Sequence, residues 1–250
     1  MDTYDRLIKE DPTDFEPYFR RASDYYRLNQ YLRALSDVDE AIKLTPADRT
    51  DMRYEELVLR ANIYLMTDRP ADASADFEAA LALDPTNFNT IHQKANTDLI
   101  LGNTAAAKAG YIRMQGLSPR SPEALFGLAR VAIKERNYGQ ANEYADKAVQ
   151  LNAGESSVYV TRANIRRELG NNTGAAQDLI AAISIDANGR ALSDLIALGG
   201  KDYPATSTAL SEAIKEAPNI DMFRYLRAEV AKINYHYKDA IADFSKLVDV

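Results

Sequence analysis

The chain has no cysteine, no tryptophan and only two histidines. It also has no apolar run approaching the roughly 18 residues that a membrane-spanning helix needs. The missing cysteine excludes disulfides, thiolate zinc sites and cysteine nucleophiles, and leaves the redox compartment open. His92 and His236 show no paired ligand spacing, so no metal site is expected. The first residues, MDTYDRLIKEDP, are polar where a secretory signal requires an apolar stretch. Positive charge is in deficit. Lysine and arginine total 30 against 37 acids, a net charge of −7 that repels polyphosphate and argues against nucleic acid as a partner.

Familiar chemical motifs are equally scarce. Gly199-Gly200-Lys201-Asp202 cannot form a phosphate loop, because Leu195 stands where the first glycine is required. The acidic neighbours Asp37, Asp39 and Glu40, and Asp76 with Glu78, read as solvated faces of amphipathic helices rather than acid–base pairs. Asn171-Asn172-Thr173 fits a glycosylation acceptor, but it falls on a turn that itself calls for asparagine. No cofactor and no catalytic residue is expected.

What the chain does have is periodicity. Hydrophobic residues make up 46% of it, ample for a core. Proline follows an acidic or polar residue at Pro12, Pro46, Pro85 and Pro119, and the first and last of these intervals match while the middle one is longer. The matched interval, roughly 34 residues, is the length of one helical hairpin with its turns. A proline cannot continue the helix before it, so each marks the end of such a hairpin. Alanines fall in register with these stops: Ala22, Ala34 and Ala41; Ala61, Ala73 and Ala80; Ala95 and Ala107, with Met114 third. Ala129, Ala141 and Ala148 follow, then Ala163, Ala175 and Ala182, and after a divergent stretch Ala228 and Ala240. Closely crossing helices need a small side chain where the ridge of one enters the groove of the other. Larger residues such as Tyr18, Tyr25, Leu57, Tyr64, Phe77, Ile91 and Leu125 recur at helical spacing, and Gly- or Asn-containing turns separate the paired helices.

In this register the chain resembles the tetratricopeptide repeat family over nearly its whole length. Two features depart from the family pattern. Tryptophan, common early in the family's first helix, is replaced by Tyr18, Leu57, Ile91, Leu125 and Tyr159, and Ala153 and Ala187 stand for two closing prolines. The resemblance implies an all-α fold, an α-solenoid of antiparallel helix-turn-helix repeats wound as a right-handed superhelix, with a concave face that binds a protein or peptide partner. The repeat reading predicts a lone helix over 3–11 and hairpins over 15–46, 51–85, 88–119, 122–153, 156–187, 189–218 and 221–250. The longer interval between Pro46 and Pro85 calls for a longer connection or an extended first helix. The divergent hairpin, with Gly199-Gly200 and Pro204, is expected to have shortened, loosened helices. Thr3–Pro12 reads as a second helix without its first, and Val250 falls short of a closing position, so a fragment of a longer array is expected.

By the same resemblance the inner faces of the first helices form the candidate binding groove. They carry Phe19 and Tyr26, Val58 and Asn62, His92 and Asn96, Phe126 and Arg130, and Asn164 and Arg167. The asparagines Asn62, Asn96 and Asn164 hold equivalent places and offer donor and acceptor to an extended peptide, while Phe19 and Phe126 are the expected apolar anchors. Equally, asparagine at this place can serve packing. The family's lysine-rich clamp for a C-terminal carboxylate has no counterpart here, since Phe19, Ser23, Leu59, Asn89 and Gln93 occupy its places in the first three hairpins. A binding scaffold is the function so implied, with a structural spacer or the non-catalytic arm of a larger protein as alternatives. If the register is right, Ala61→Leu overpacks a helix crossing and lowers stability by roughly 1–3 kcal/mol. Glu78→Leu should cost far less in the same thermal melt, and equal losses would refute the register.

Overall fold

A computed structural model describes residues 2–186 and 189–248; the closing positions Ala187 and Val250 lie outside them. Among the described residues there are fifteen α-helices and no strand, divided into one compact unit up to Pro119 and another from Arg120. The first unit holds α1 (Asp2–Glu10) and the hairpins α2 (Phe15–Arg27) with α3 (Tyr31–Leu44), α4 (Thr50–Met66) with α5 (Pro70–Leu83), and α6 (Phe88–Ile100) with α7 (Thr104–Leu117). The second holds α8 (Pro122–Lys134) with α9 (Tyr138–Leu151), α10 (Ser156–Glu168) with α11 (Asn172–Ile185), α12 (Gly189–Lys201) with α13 (Tyr203–Glu216), and α14 (Asp221–Ile233) with α15 (Tyr237–Val248). Each unit is an all-α stack of hairpins, as the periodicity predicts.

Local chemistry sets the ends of these helices. Side chains of Asp14, Asn87, Ser121, Asn137, Asn171 and Asp202 each accept a backbone N–H from the helix they precede, satisfying donors that the helix itself cannot. In six of the seven described hairpins the turn contains one left-handed residue: Asn29, Asp68, Gly102, Arg136, Gly170 and Tyr235, with φ from 57° to 79°. Asn137 is not that residue in its own turn. It caps α9, and Arg136 takes the left-handed conformation at a cost of roughly 1–2 kcal/mol. The longer interval after Pro46 resolves into both expected devices. α4 has 17 residues where the other first helices have 13, and the connector before it is longer than those before α2, α6, α8 and α10.

The register alanines, from Ala22 to Ala240, are between 0% and 3% exposed. At one crossing even alanine is too large, since a Cβ on Gly110 would come within 2.8 Å of the Ala95 Cβ. The periodicity thus describes the core correctly.

The charges do not follow the sequence reading. Asp37 and Asp76 are only 7% exposed each, so they are not on solvated faces. Each receives a bidentate arginine from the first helix of its own hairpin, 16 residues earlier. Arg21 Nε and Nη2 reach Asp37 at 2.6 and 2.8 Å, and Arg60 reaches Asp76 at 2.7 and 2.8 Å. Arg162 with Asp178 and Arg227 with Asp243 repeat the arrangement. In all four, Nη1 of the same arginine turns to the preceding second helix: to Asp5 from Arg21, Asp39 from Arg60 (2.9 Å), Asp146 from Arg162 (2.9 Å) and Ser211 Oγ from Arg227 (2.9 Å). One guanidinium therefore ties its own hairpin shut and fastens it to the helix before. The carboxylates of Asp37 and Asp76 hold Arg21 and Arg60 well above the usual guanidinium range. Burial pushes the Asp178 carboxyl up, against the pull of Arg162.

The α12–α13 hairpin departs from expectation in an informative way. Its helices are full length, at 13 and 14 residues, and Pro204 sits in the first turn of α13, where a missing N–H costs nothing. The shortening comes from the turn, which is Asp202 alone where Gly170 and its neighbours stand in the preceding hairpin. Aligned on α10–α11, this hairpin has Ile196 and Thr206 in the alanine places of Ala163 and Ala175, and Leu195 with Ala209 in place of Arg162 with Asp178. α13 packs more extensively on α11 than on its own partner α12. Gly199 tightens the stack and does not loosen it. A Cβ there would lie 2.6 Å from Val230 Cγ1 of α14, and Asn234 Nδ2 donates to the Gly199 carbonyl at 2.9 Å.

One buried charge stands apart from this pattern. Glu56 is fully buried, and its Oε1 accepts from the Thr45 hydroxyl, while Oε2 has no hydrogen-bond partner among the described residues. Burial raises its pKa, so its contribution to stability is fully present below the unfolded value near 4.5 and is lost as pH rises through the folded value. Glu56→Gln, which cannot ionise, should therefore gain stability over the parent as pH rises from 4 to 7, by roughly 1 kcal/mol. A difference between variant and parent that stays constant over that range would contradict this.

Candidate partner-binding face

Within the first unit, polar side chains link successive first helices. Gln93 Nε2 of α6 donates to Asn62 Oδ1 of α4 at 3.3 Å, and the Tyr54 and Thr90 hydroxyls pair at 2.5 Å between the same helices. Burial pushes the Tyr54 phenol above its ordinary range. Phe19 and Tyr26 on α2 are half-buried, and the Tyr26 ring lies 5.9 Å from that of Tyr31. Val58 packs on the cluster of Ala61, Ala73 and Phe77.

The three asparagines are not equivalent. Asn96 Oδ1 accepts from the hydroxyl of fully buried Tyr111 at 2.7 Å, which fixes it to the core of its own hairpin. His92 lies near the same ring, at 6.3 Å between centroids. Asn62 is engaged by Gln93, whereas Asn164 lines an open cleft.

That cleft is in the second unit. Asn164, Arg167 and Glu168 of α10, Asn172 of α11, and Leu198 and Lys201 of α12 enclose about 600 Å³. It unites two of the residues singled out from sequence, Asn164 and Arg167, with a second cation. Arg130 on α8 is exposed. Phe126 is 8% exposed and packs with Leu125, Ala129 and Val158, so it offers a ligand little surface and serves the core. The groove reading does not single out Lys201, and it names Gln93 only as a place where a clamp cation is missing. The repeat register carries the signal for Lys201, since α12 aligned on α10 sets it beside the end of the preceding first helix.

Among the described residues no three His, Asp or Glu side chains gather as metal ligands would. No described helix is long and apolar enough to cross a membrane.

Residues 54–87 and 93–156 each match a tetratricopeptide repeat model. Human mitochondrial import receptor subunit TOM70 is 21% identical over 235 aligned positions, covering 74% of this chain and 38% of that one. Cellulose synthase operon protein C of Pseudomonas fluorescens is 25% identical over 198 positions, covering 74% and 15%. The chain thus spans well under half the length of these relatives. Among solved structures, the C-terminal part of a repeat-containing protein of Cytophaga hutchinsonii superposes with a TM-score of 0.64 at 17% identity, covering 89% of this chain and 91% of that one. A protein of Parabacteroides merdae gives 0.60 at 20%, covering 93% and 91%. YrrB, described as having an unusual peptide-binding site, gives 0.53 at 20%, covering 75% and 94%. Hairpin period, alanine register and these matches agree: the chain carries tetratricopeptide repeats at residues 54–87 and 93–156, and each unit has the all-α hairpin stack of that fold.

Proposed function

We propose that this chain, a protein-interaction scaffold of tetratricopeptide repeats, binds extended segments of partner proteins along the faces of the first helices within each unit, and that in the second unit the α10–α12 cleft takes an acidic group of such a segment. The observation that carries this reading is the convergence of Asn164, Arg167 and Lys201 on one open cleft. An asparagine amide can pair with a peptide backbone through both its donor and its acceptor. A guanidinium and an ammonium together favour a carboxylate, with the guanidinium able to bind it through two hydrogen bonds. In the first unit, half-buried Phe19, Tyr26 and Val58 supply apolar contact beside the Asn62–Gln93 pair. That the solved relative YrrB is described by a peptide-binding site supports the same class of ligand.

The test is calorimetry with a partner recovered from the native source on the whole chain. Arg167→Ala with Lys201→Ala should weaken binding roughly 30–1,000-fold, each charge-assisted contact being worth about 1–2 kcal/mol. The loss should shrink at high salt. Lys43→Ala, on an exposed second-helix surface, should change nothing. Unaltered affinity in the double variant, or a loss confined to Lys43→Ala, would overturn the reading.

A further inference from the structure

The divergent α12–α13 hairpin creates a second concavity, far from the first in chemistry. Because α13 leans on α11, these two second helices enclose a trough of about 550 Å³. Its walls carry Ile180 and Ala181 of α11 and Ala209 and Ala213 of α13, and the Tyr159 and Phe223 rings also line it. Ile185, 42% exposed, and Ile220, 37% exposed, add aliphatic surface to the same depression. Two acids border it. Glu212 and Glu216 lie one helical turn apart on the rim of α13. Glu212 accepts from Gln177 Nε2 at 3.1 Å, and Glu216 has no ion pair among the described residues.

We propose that this trough docks an amphipathic helical segment of a partner protein, with its apolar side chains in the trough and a lysine or arginine pair, one helical turn apart, on Glu212 and Glu216. The spacing follows from the rim. Two glutamates at i and i+4 on one helix face a cation pair of the same spacing on a helix lying alongside. Apolar burial supplies the affinity, and the acids select orientation and sign. A second copy of this chain is the poorer occupant, because docking would bring the acidic rim against a molecule of net charge −7. The ligand preference is opposite in sign to that proposed for the α10–α12 cleft, so the two sites are separable by charge.

The absence of tryptophan makes the test direct, since Ile185→Trp installs a sole indole at the lip of the trough. A phage-displayed library of randomised short peptides is panned on the whole chain, and the enriched peptides are titrated against Ile185→Trp by fluorescence. The expected peptides carry large apolar residues with lysine or arginine at i, i+4 spacing and blue-shift the indole emission. Adding Glu212→Lys with Glu216→Lys should weaken them roughly 10-fold or more, two rim charge pairs being reversed. The gentler pair of Glu→Gln changes should lose less, while Arg167→Ala with Lys201→Ala should lose nothing. Panning that yields no basic apolar peptides, or basic peptides that leave the emission unmoved or bind the charge-reversed chain equally, would overturn the proposal. So would sedimentation showing self-association abolished by the charge reversal, which would make the occupant a second copy.

Discussion

The arginine–aspartate pair, 16 residues apart in each of four hairpins, is the interaction on which the repeat geometry rests. A hairpin of two helices of 13 and 14 residues has many near-equivalent ways to pack apolar faces, and alanine crossings alone leave register loosely defined. A bidentate guanidinium admits one geometry. By sending its third nitrogen to the preceding second helix, the same arginine converts a constraint within a hairpin into one between neighbours. The pair is largely buried, and a buried ion pair is weak evidence of net stability, because desolvation offsets much of the attraction. Its work is to specify how the helices align.

The chain contains its own substitutions at this position. In α8–α9 the pair becomes Leu128 with Tyr144, in α12–α13 Leu195 with Ala209, and in α6–α7 Lys94 with Gly110. Where both charges go together, the site becomes ordinary core, as with fully buried Leu195. Lys94 instead keeps a cation without its usual acid and is held by Asp98 and Glu78. Geometry answers to these changes. The hairpin that lacks the ion pair, both alanine places and most of its turn is the one whose second helix leans onto its neighbour and opens the acidic-rimmed trough.

Much of this is legible in the sequence, and the boundary is physical. Hairpin period, the alanine core and the closing prolines are consequences of local sterics that recur in each repeat, so they are visible one residue type at a time. The buried aspartates are not, because a lone acid on a helix reads as solvent-facing until its partner is known. That partner stands at a fixed offset in four hairpins, a recurrence the sequence displays in Arg21 and Asp37, Arg60 and Asp76, Arg162 and Asp178, and Arg227 and Asp243. Phe126 and Asn96 share the register of the candidate groove, yet tertiary neighbours, the α8–α10 core and the Tyr111 hydroxyl, claim them. Likewise Gly199 resembles a helix breaker and proves to be a contact point with Val230.

The ion pair is an interchangeable register device whose two halves must match, and a double-mutant cycle on Arg60 and Asp76 tests this. Arg60→Leu and Asp76→Tyr reproduce, one at a time and then together, the Leu128–Tyr144 pair the chain already uses. Measured by chemical denaturation, each single change should cost about 3–5 kcal/mol by stranding a buried charge, and the double change should recover most of that loss. Losses that simply add in the double variant would contradict the account, for they would mean that the two side chains act independently and that the alanine crossings alone set the stack.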